Sequence, residues 1–222
     1  MTQDNLTTIL CGLAKKRPVF HSEADFQFEL AWAIKQQFPK IDIRLERPYQ
    51  LSASGKVESD LKVESDLIVI DGSNVYGIEL KYVTKKAKLT VNSENFDLKE
   101  HAATNLRRYD FYKDISRLEN MKNKKLINTG FVIFLTNVNS YLNSSVGVAI
   151  NFNFSDQHII MKDQYNWNDN WANDDVLKIK SIGRRRVDSI SITSSYKCIW
   201  TQYSKMPSTN NPEEFKYLLL EI

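Results

Sequence analysis

Glycine and proline are scarce in this chain, at 7 and 5 of its 222 residues, so no flexible linker is expected. It has two cysteines, Cys11 and Cys198, far apart and without metal-ligand spacing, which points to a reducing cytoplasm. Its three histidines, His21, His101 and His158, have no paired spacing and read as non-ligands. No apolar run approaches about 20 residues, so no membrane-spanning helix is expected. The N-terminus lacks a basic start before an apolar run and makes a poor secretory signal. G-x-x-x-x-G-K-[ST], G-x-G-x-x-G and G-x-S-x-G are all missing, which removes support for nucleotide-driven and serine-hydrolase chemistry. The charge is only +3, which permits a nucleic-acid partner without demanding one.

What is present is ordinary globular material: 42% hydrophobic, 26% charged and a generous 11% aromatic, enough for a core. The length suits one α/β domain over 1–222, with 1–20 as an N-terminal helical extension. Leu6, Ile9, Leu10 and Leu13 predict a short helix over Asp4–Lys15. Ser22 as N-cap, Phe26, Leu30 and Ile34 at helical spacing, and Pro39 as a stop predict a helix over 23–37. "IDIRLERPYQL" alternates like a strand, and Leu67–Asp71 and Val75–Val83 form a hairpin around Gly72-Ser73. Leu98, Ala102, Leu106, Tyr109, Tyr112, Ile115 and Leu118 suggest one long helix from Asn92 to about Lys122. "GFVIFLTN" (130–137) reads as a buried strand, and 138–180 as loops with short strands. "VDSISIT", "YKCIWTQYS" and "FKYLLLEI" read as three further strands. This order predicts a mixed sheet with helices on its faces.

The hexapeptide KVESDL occurs twice, over 56–61 and 62–67, and places Asp60 and Asp66 in identical local sequence. With Gly72 and Ser73 as a two-residue turn, paired positions sum to 145 and Asp66 falls opposite Glu79. Opposite Cβ atoms lie about 4.5–5.5 Å apart, and Lys81 shares that face. Asp60 lies about 20 Å further along an extended strand, too far for one ion to bridge. Asp60 and Glu58 therefore read as a solvated extension, and Glu64 as a minor candidate one pleat from Asp66. A surface ion pair is the plain alternative. Against it, Leu67, Val69, Tyr76, Ile78 and Leu80 form one apolar face while Ile68, Ile70 and Val75 share the other with the acids. Charges clustered at the end of a buried sheet are costly unless they bind something, and hard oxygen ligands suit Mg²⁺.

Asp66, twelve residues, then Glu79-Leu80-Lys81 on a hairpin, behind the helix "SEADFQFELAWAI", resembles the PD-(D/E)XK nuclease superfamily. "RYDFYKDISRLE", "GFVIFLTN" and the C-terminal strands look like its core helix and strands, so the resemblance spans Glu23 to Ile222. Ser65 stands where the family's name has proline. The resemblance implies a restriction-endonuclease-like α/β fold and a metal-dependent nuclease acting on DNA, in a bacterial cytoplasm. It implies Asp66, Glu79 and the Leu80 carbonyl as ligands of Mg²⁺ or Mn²⁺, with Glu23 completing the site from the helix. Lys81 would orient or deprotonate the attacking water, or balance charge, and Gln27 would hold substrate or a metal-bound water. Glu29, the rival to Glu23, points off the face shared by Leu30 and Ile34. Many members pair, so a homodimer stays open. The alternatives are a catalytically weak nucleic-acid-binding subunit of the same fold and a structural or interaction module.

Arg107, Arg108, Lys113 and Arg117 on the long helix offer phosphate contacts, or a solvated face paired with Asp110 and Asp114. Arg184, Arg185 and Arg186 form a second candidate phosphate-binding set. Tyr165, Trp167 and Trp171 read as base-stacking groups or, more simply, as cover for a core edge.

Overall fold

The computed structural model describes residues 1–50, 62–101, 103–168, 186–207 and 212–222. The chain begins with α1 (Gln3–Lys16), α2 (Glu23–Gln37), β1 (Asp42–Gln50) and the hairpin β2 (Lys62–Asp71) and β3 (Asn74–Val83). A second hairpin, β4 (Ala87–Val91) and β5 (Glu94–Leu98), leads into α3 (Thr104–Asn123) and β6 (Thr129–Thr136). The short strands β7 (Ile159–Ile160), β8 (Asp163–Tyr165), β9 (Ile190–Ile192) and β10 (Tyr196–Lys197) precede β11 (Trp200–Met206) and β12 (Glu213–Glu221).

Local chemistry fixes the helices that matter for the site. Thr2 closes a capping box with Asn5 at the start of α1, and Lys15 and Lys16 sit favourably in its last turn. Ser22 accepts the Asp25 N–H at the start of α2, which holds Glu23 at the first helical position. Leu6 and Leu10 of α1 are buried in the same cluster as Phe26, Leu30 and Ile34 of α2, so α1 packs into the main core.

Six strands form the central sheet, in the order β1-β2-β3-β6-β12-β11. Only β3 and β6 run parallel; the other neighbours are antiparallel. On one face Leu67, Ile78, Leu80, Phe131 and Ile133 pack with α1 and α2. On the other, Ile68, Val132 and Phe134 pack with α3. The fold is therefore mixed α/β, with a central mixed sheet covered by helices on both faces. No helix among the described residues is long and apolar enough to cross a membrane.

Two sequence expectations need correction. The helix expected from Asn92 starts only at Thr104, because 87–98 form a hairpin instead. Leu89, Phe96 and Leu98 alternate inward, and Asn92 and Ser93 both take positive φ (51° and 66°), the backbone of a tight type I′ turn. The run "YKCIWTQYS" is also divided, with Cys198 and Ile199 separating β10 from β11.

Candidate active site

The β2–β3 ladder runs from Asp71↔Asn74 to Leu67↔Ile78, so paired positions sum to 145 as the turn required. Gly72 supplies the positive φ (60°) at the first turn position. Beyond Leu67 the strands part. The Leu80 N–H, which would face β2, donates instead to Asp66 Oδ2 at 2.6 Å. Two residues on, the Tyr82 N–H donates to Glu23 Oε2 at 2.7 Å. Two carboxylates thus take the places that a neighbouring strand's carbonyls would fill. On the opposite edge of β2 the pairing to β1 skips one position, where Glu46 adopts a positive φ of 50°. Gln27 fills that gap, its Nε2 donating to the Asp66 carbonyl (2.7 Å) and to Glu46 Oε1 (2.8 Å).

On the α3 side of the sheet lies a buried charge cluster. Glu79 is completely shielded from solvent, flanked by β6 and roofed by α3. Its Oε2 accepts from Arg117 at 2.7 Å, and its Oε1 has no hydrogen-bond partner. Arg117 also reaches Asp114 Oδ1 (3.0 Å), while Lys81 Nζ lies 2.7 Å from Asp114 Oδ2 and donates to the Leu80 carbonyl (3.0 Å). The sequence offers Asp114 only as a surface partner for helix cations. Its signal lay in position: it falls between Phe111, Ile115 and Leu118 on the stripe that α3 buries.

Electrostatics follow from this crowding. Burial pushes the Asp66 carboxyl up to about 6, against the pull of Lys81 and the Leu80 N–H. Burial also raises Glu79 well above the usual carboxylate range, with Arg117 opposing and Asp114 and Asp66 adding to the rise. Desolvation alone would lower Lys81, but the carboxylates of Asp114 and Asp66 outweigh it and raise its pKa. Lys81 is thus a standing cation at neutral pH. Of the roles expected for it, this direction favours charge balance.

Three carboxylates (Asp66, Glu79, Asp114) and two cations (Lys81, Arg117) share this cluster. Among the described residues, no three His, Cys, Asp or Glu side chains gather as a metal-ligand group. The donor set that suits a hard divalent ion is mixed instead: Asp66, Glu79 with its unpartnered Oε1, and the Leu80 carbonyl. Glu23 stands exposed at the rim, at the first residue of α2.

The remaining candidates are scattered. Glu29 lies 3.8 Å from Arg17 and lines a cavity of about 670 Å³ between α1 and α2, which no carboxylate of the site enters. Arg108 is a correction: it is buried, donates to the Ser140 and Asn143 carbonyls and lies over Tyr141 and Phe154, so it offers nothing to a phosphate. Arg117 faces the carboxylates rather than solvent. Arg107 is half-buried in the first turn of α3. Arg186 pairs with Asp110, whereas Arg184, Arg185, Asp60, Glu58 and Trp171 lie outside the described residues. Trp167 is core, stacked on Tyr109 at 5.3 Å. His21 meets Glu94 and stacks on Phe96, and His158 contacts Asn153.

No protein-family model, curated protein or solved structure matches the chain. A functional reading rests on the geometry above.

Proposed function

We propose that the chain is a metal-dependent nuclease of restriction-endonuclease-like fold that hydrolyses phosphodiester bonds, with DNA as substrate. The observation that carries this reading is that Asp66 and Glu23 accept the Leu80 and Tyr82 N–H groups of the strand that also bears Glu79 and Lys81, where β2 parts from β3. Asp66, Glu79, Glu23 and the Leu80 carbonyl are the oxygen donors for Mg²⁺ or Mn²⁺. When bound, such an ion supplies Lewis acidity to a phosphate and lowers the pKa of water.

The chain's own groups do the rest. Lys81, kept protonated and tethered by Asp114 and the Leu80 carbonyl, sets a fixed positive charge where negative charge develops on phosphorus. Gln27 and the Leu80 N–H fix Asp66 from its carbonyl and its carboxylate at once. Arg117 holds Glu79 and Asp114 in register. In the net reaction the oxygen of water ends on phosphorus, the P–O ester bond breaks, and the water's proton ends on the departing oxygen.

A second reading, a binding subunit of weak activity, draws on the way Lys81 and Arg117 already neutralise most of the cluster. Supercoiled plasmid separates the two. The parent protein is expected to nick it with Mg²⁺ or Mn²⁺ and not with EDTA. Asp66→Ala should abolish nicking, while Asp60→Ala in the other hexapeptide copy should leave it intact. Binding without nicking by the parent favours the subunit reading.

A further inference from the structure

An acidic cluster repels the polyanion it is meant to cut, so a nuclease site needs cations beside it to hold the substrate. Arg108 and Arg117 do not supply those cations, since both are engaged inside the protein, but Arg107 of the same helix is not. The chain supplies others immediately after the strand that bears Glu79 and Lys81. "TKKAK" (84–88) leaves β3 with Lys85, Lys86 and Lys88 exposed. Lys85 is tied to Glu213 at 3.2 Å, and Lys88 stands across the β4–β5 ladder from Asp97. Lys86 and Lys99, both exposed, and Arg107 have no ion-pair partner among the described residues.

Thr84 gathers this surface. Its hydroxyl donates to the Lys99 carbonyl at 2.7 Å, and its N–H donates to His101 Nδ1 at 3.0 Å, which draws 99–101 against the end of β3. Ala87 pairs with Leu98 at the open end of the β4–β5 ladder, so Lys86 and Lys99, the next residue on each strand, leave it side by side. The first turn of α3 carries Arg107 and no acidic residue. Lys86 lies five residues beyond Lys81, at most about 17 Å, or roughly five nucleotides of one duplex strand.

We propose that Lys86, Lys99 and Arg107 form the track that grips the phosphodiester backbone of a nucleic acid as it approaches the carboxylates. The proposal rests on the nuclease reading, but its test is one of binding.

The experiment is a salt series of binding isotherms in EDTA, with a labelled duplex of about 20 base pairs and a single strand of the same length. The combined variant Lys86→Gln/Lys99→Gln/Arg107→Gln is expected to weaken binding at least about tenfold. It should also lower the slope of log K against log salt by about 2–3 on duplex, or about 2 on single strand. The arm that shows the change identifies the form of substrate. A control with the same loss of charge elsewhere on the surface, Lys15→Gln/Lys16→Gln/Lys40→Gln, should bind as the parent does. Thermal melts of both variants check that each remains folded. The track is overturned if the parent binds neither probe, if the track variant binds as the parent does, or if the control loses as much. Plasmid nicking by a parent whose track variant binds unchanged would sink the track and leave the nuclease. Binding lost through the track, in a parent that never cleaves, would do the reverse.

Discussion

Asp66 accepts the Leu80 N–H while burial pushes its carboxyl up to about 6. An acid raised in this way holds its proton more tightly in the folded state than in the unfolded one. Its contribution to stability is complete below the unfolded value, near 4, and is lost as pH rises through about 6. At neutral pH the ionised group is a liability on the order of 3 kcal/mol. Without divalent ions, Asp66→Asn is therefore expected to melt above the parent at pH 8, with the gap shrinking as pH falls to 5. A gap independent of pH would show that Asp66 ionises normally. His101 and His158, whose pKa values burial lowers, favour the folded state as pH rises instead, so the difference between variant and parent is the quantity to read. At this scale the sequence was informative about the β2–β3 register down to Leu67↔Ile78, but not about Asp66 opposite Glu79: the ladder ends before that pair, and the Asp66 carboxylate takes the Leu80 N–H instead. The sequence was silent on Asp114. A carboxylate on a helix is usually solvated, and only the packing of α3 onto β3 and β6 makes this one a partner of Lys81.

The element that decides the site is α3, and two glycines let it come close. A Cβ at Gly130 of β6 would lie 2.9 Å from Leu118 Cβ and 3.2 Å from Ile222 Cβ, neither able to swing aside. A Cβ at Gly77 of β3 would meet the ends of Leu118 and Ile127 at 3.0 and 3.2 Å, which can rotate away. Gly130→Ala is thus expected to lift α3 from the sheet, carrying Asp114 and Arg117 away from Lys81 and Glu79. The expected loss is about 1–3 kcal/mol in urea denaturation, with a fall in plasmid nicking; Gly77→Ala should do less. Equal effects of the two, or none, would mean that α3 is not set by this contact. The helices were legible where a cap and an apolar stripe agreed, as over 23–37. The stretch from Asn92 misled because Leu98 and Leu106 fit a helical period, while the alternation of Leu89, Phe96 and Leu98 around Asn92-Ser93 passed unnoticed.

Over the whole molecule, the sheet order brings residues between 23 and 117 to one place: Glu23 and Gln27 from one face, Asp114 and Arg117 from the other, with β2 and β3 between them. Local patterning carried the mixed α/β class and most strands. It could not convey that β2 leaves β3 at Asp66, nor that Thr84 draws 99–101 against the end of β3, because both depend on contacts between distant segments. The central claim is that the cluster is a divalent-cation site and not a self-neutralised structural knot. Melting temperature against Mn²⁺ concentration tests this most directly, with the parent beside Asp66→Ala and Glu79→Gln. Saturation to about a hundred times the dissociation constant should raise the parent by about 5–10 °C and leave both variants in place. A parent that does not move, or variants that rise with it, would contradict the account.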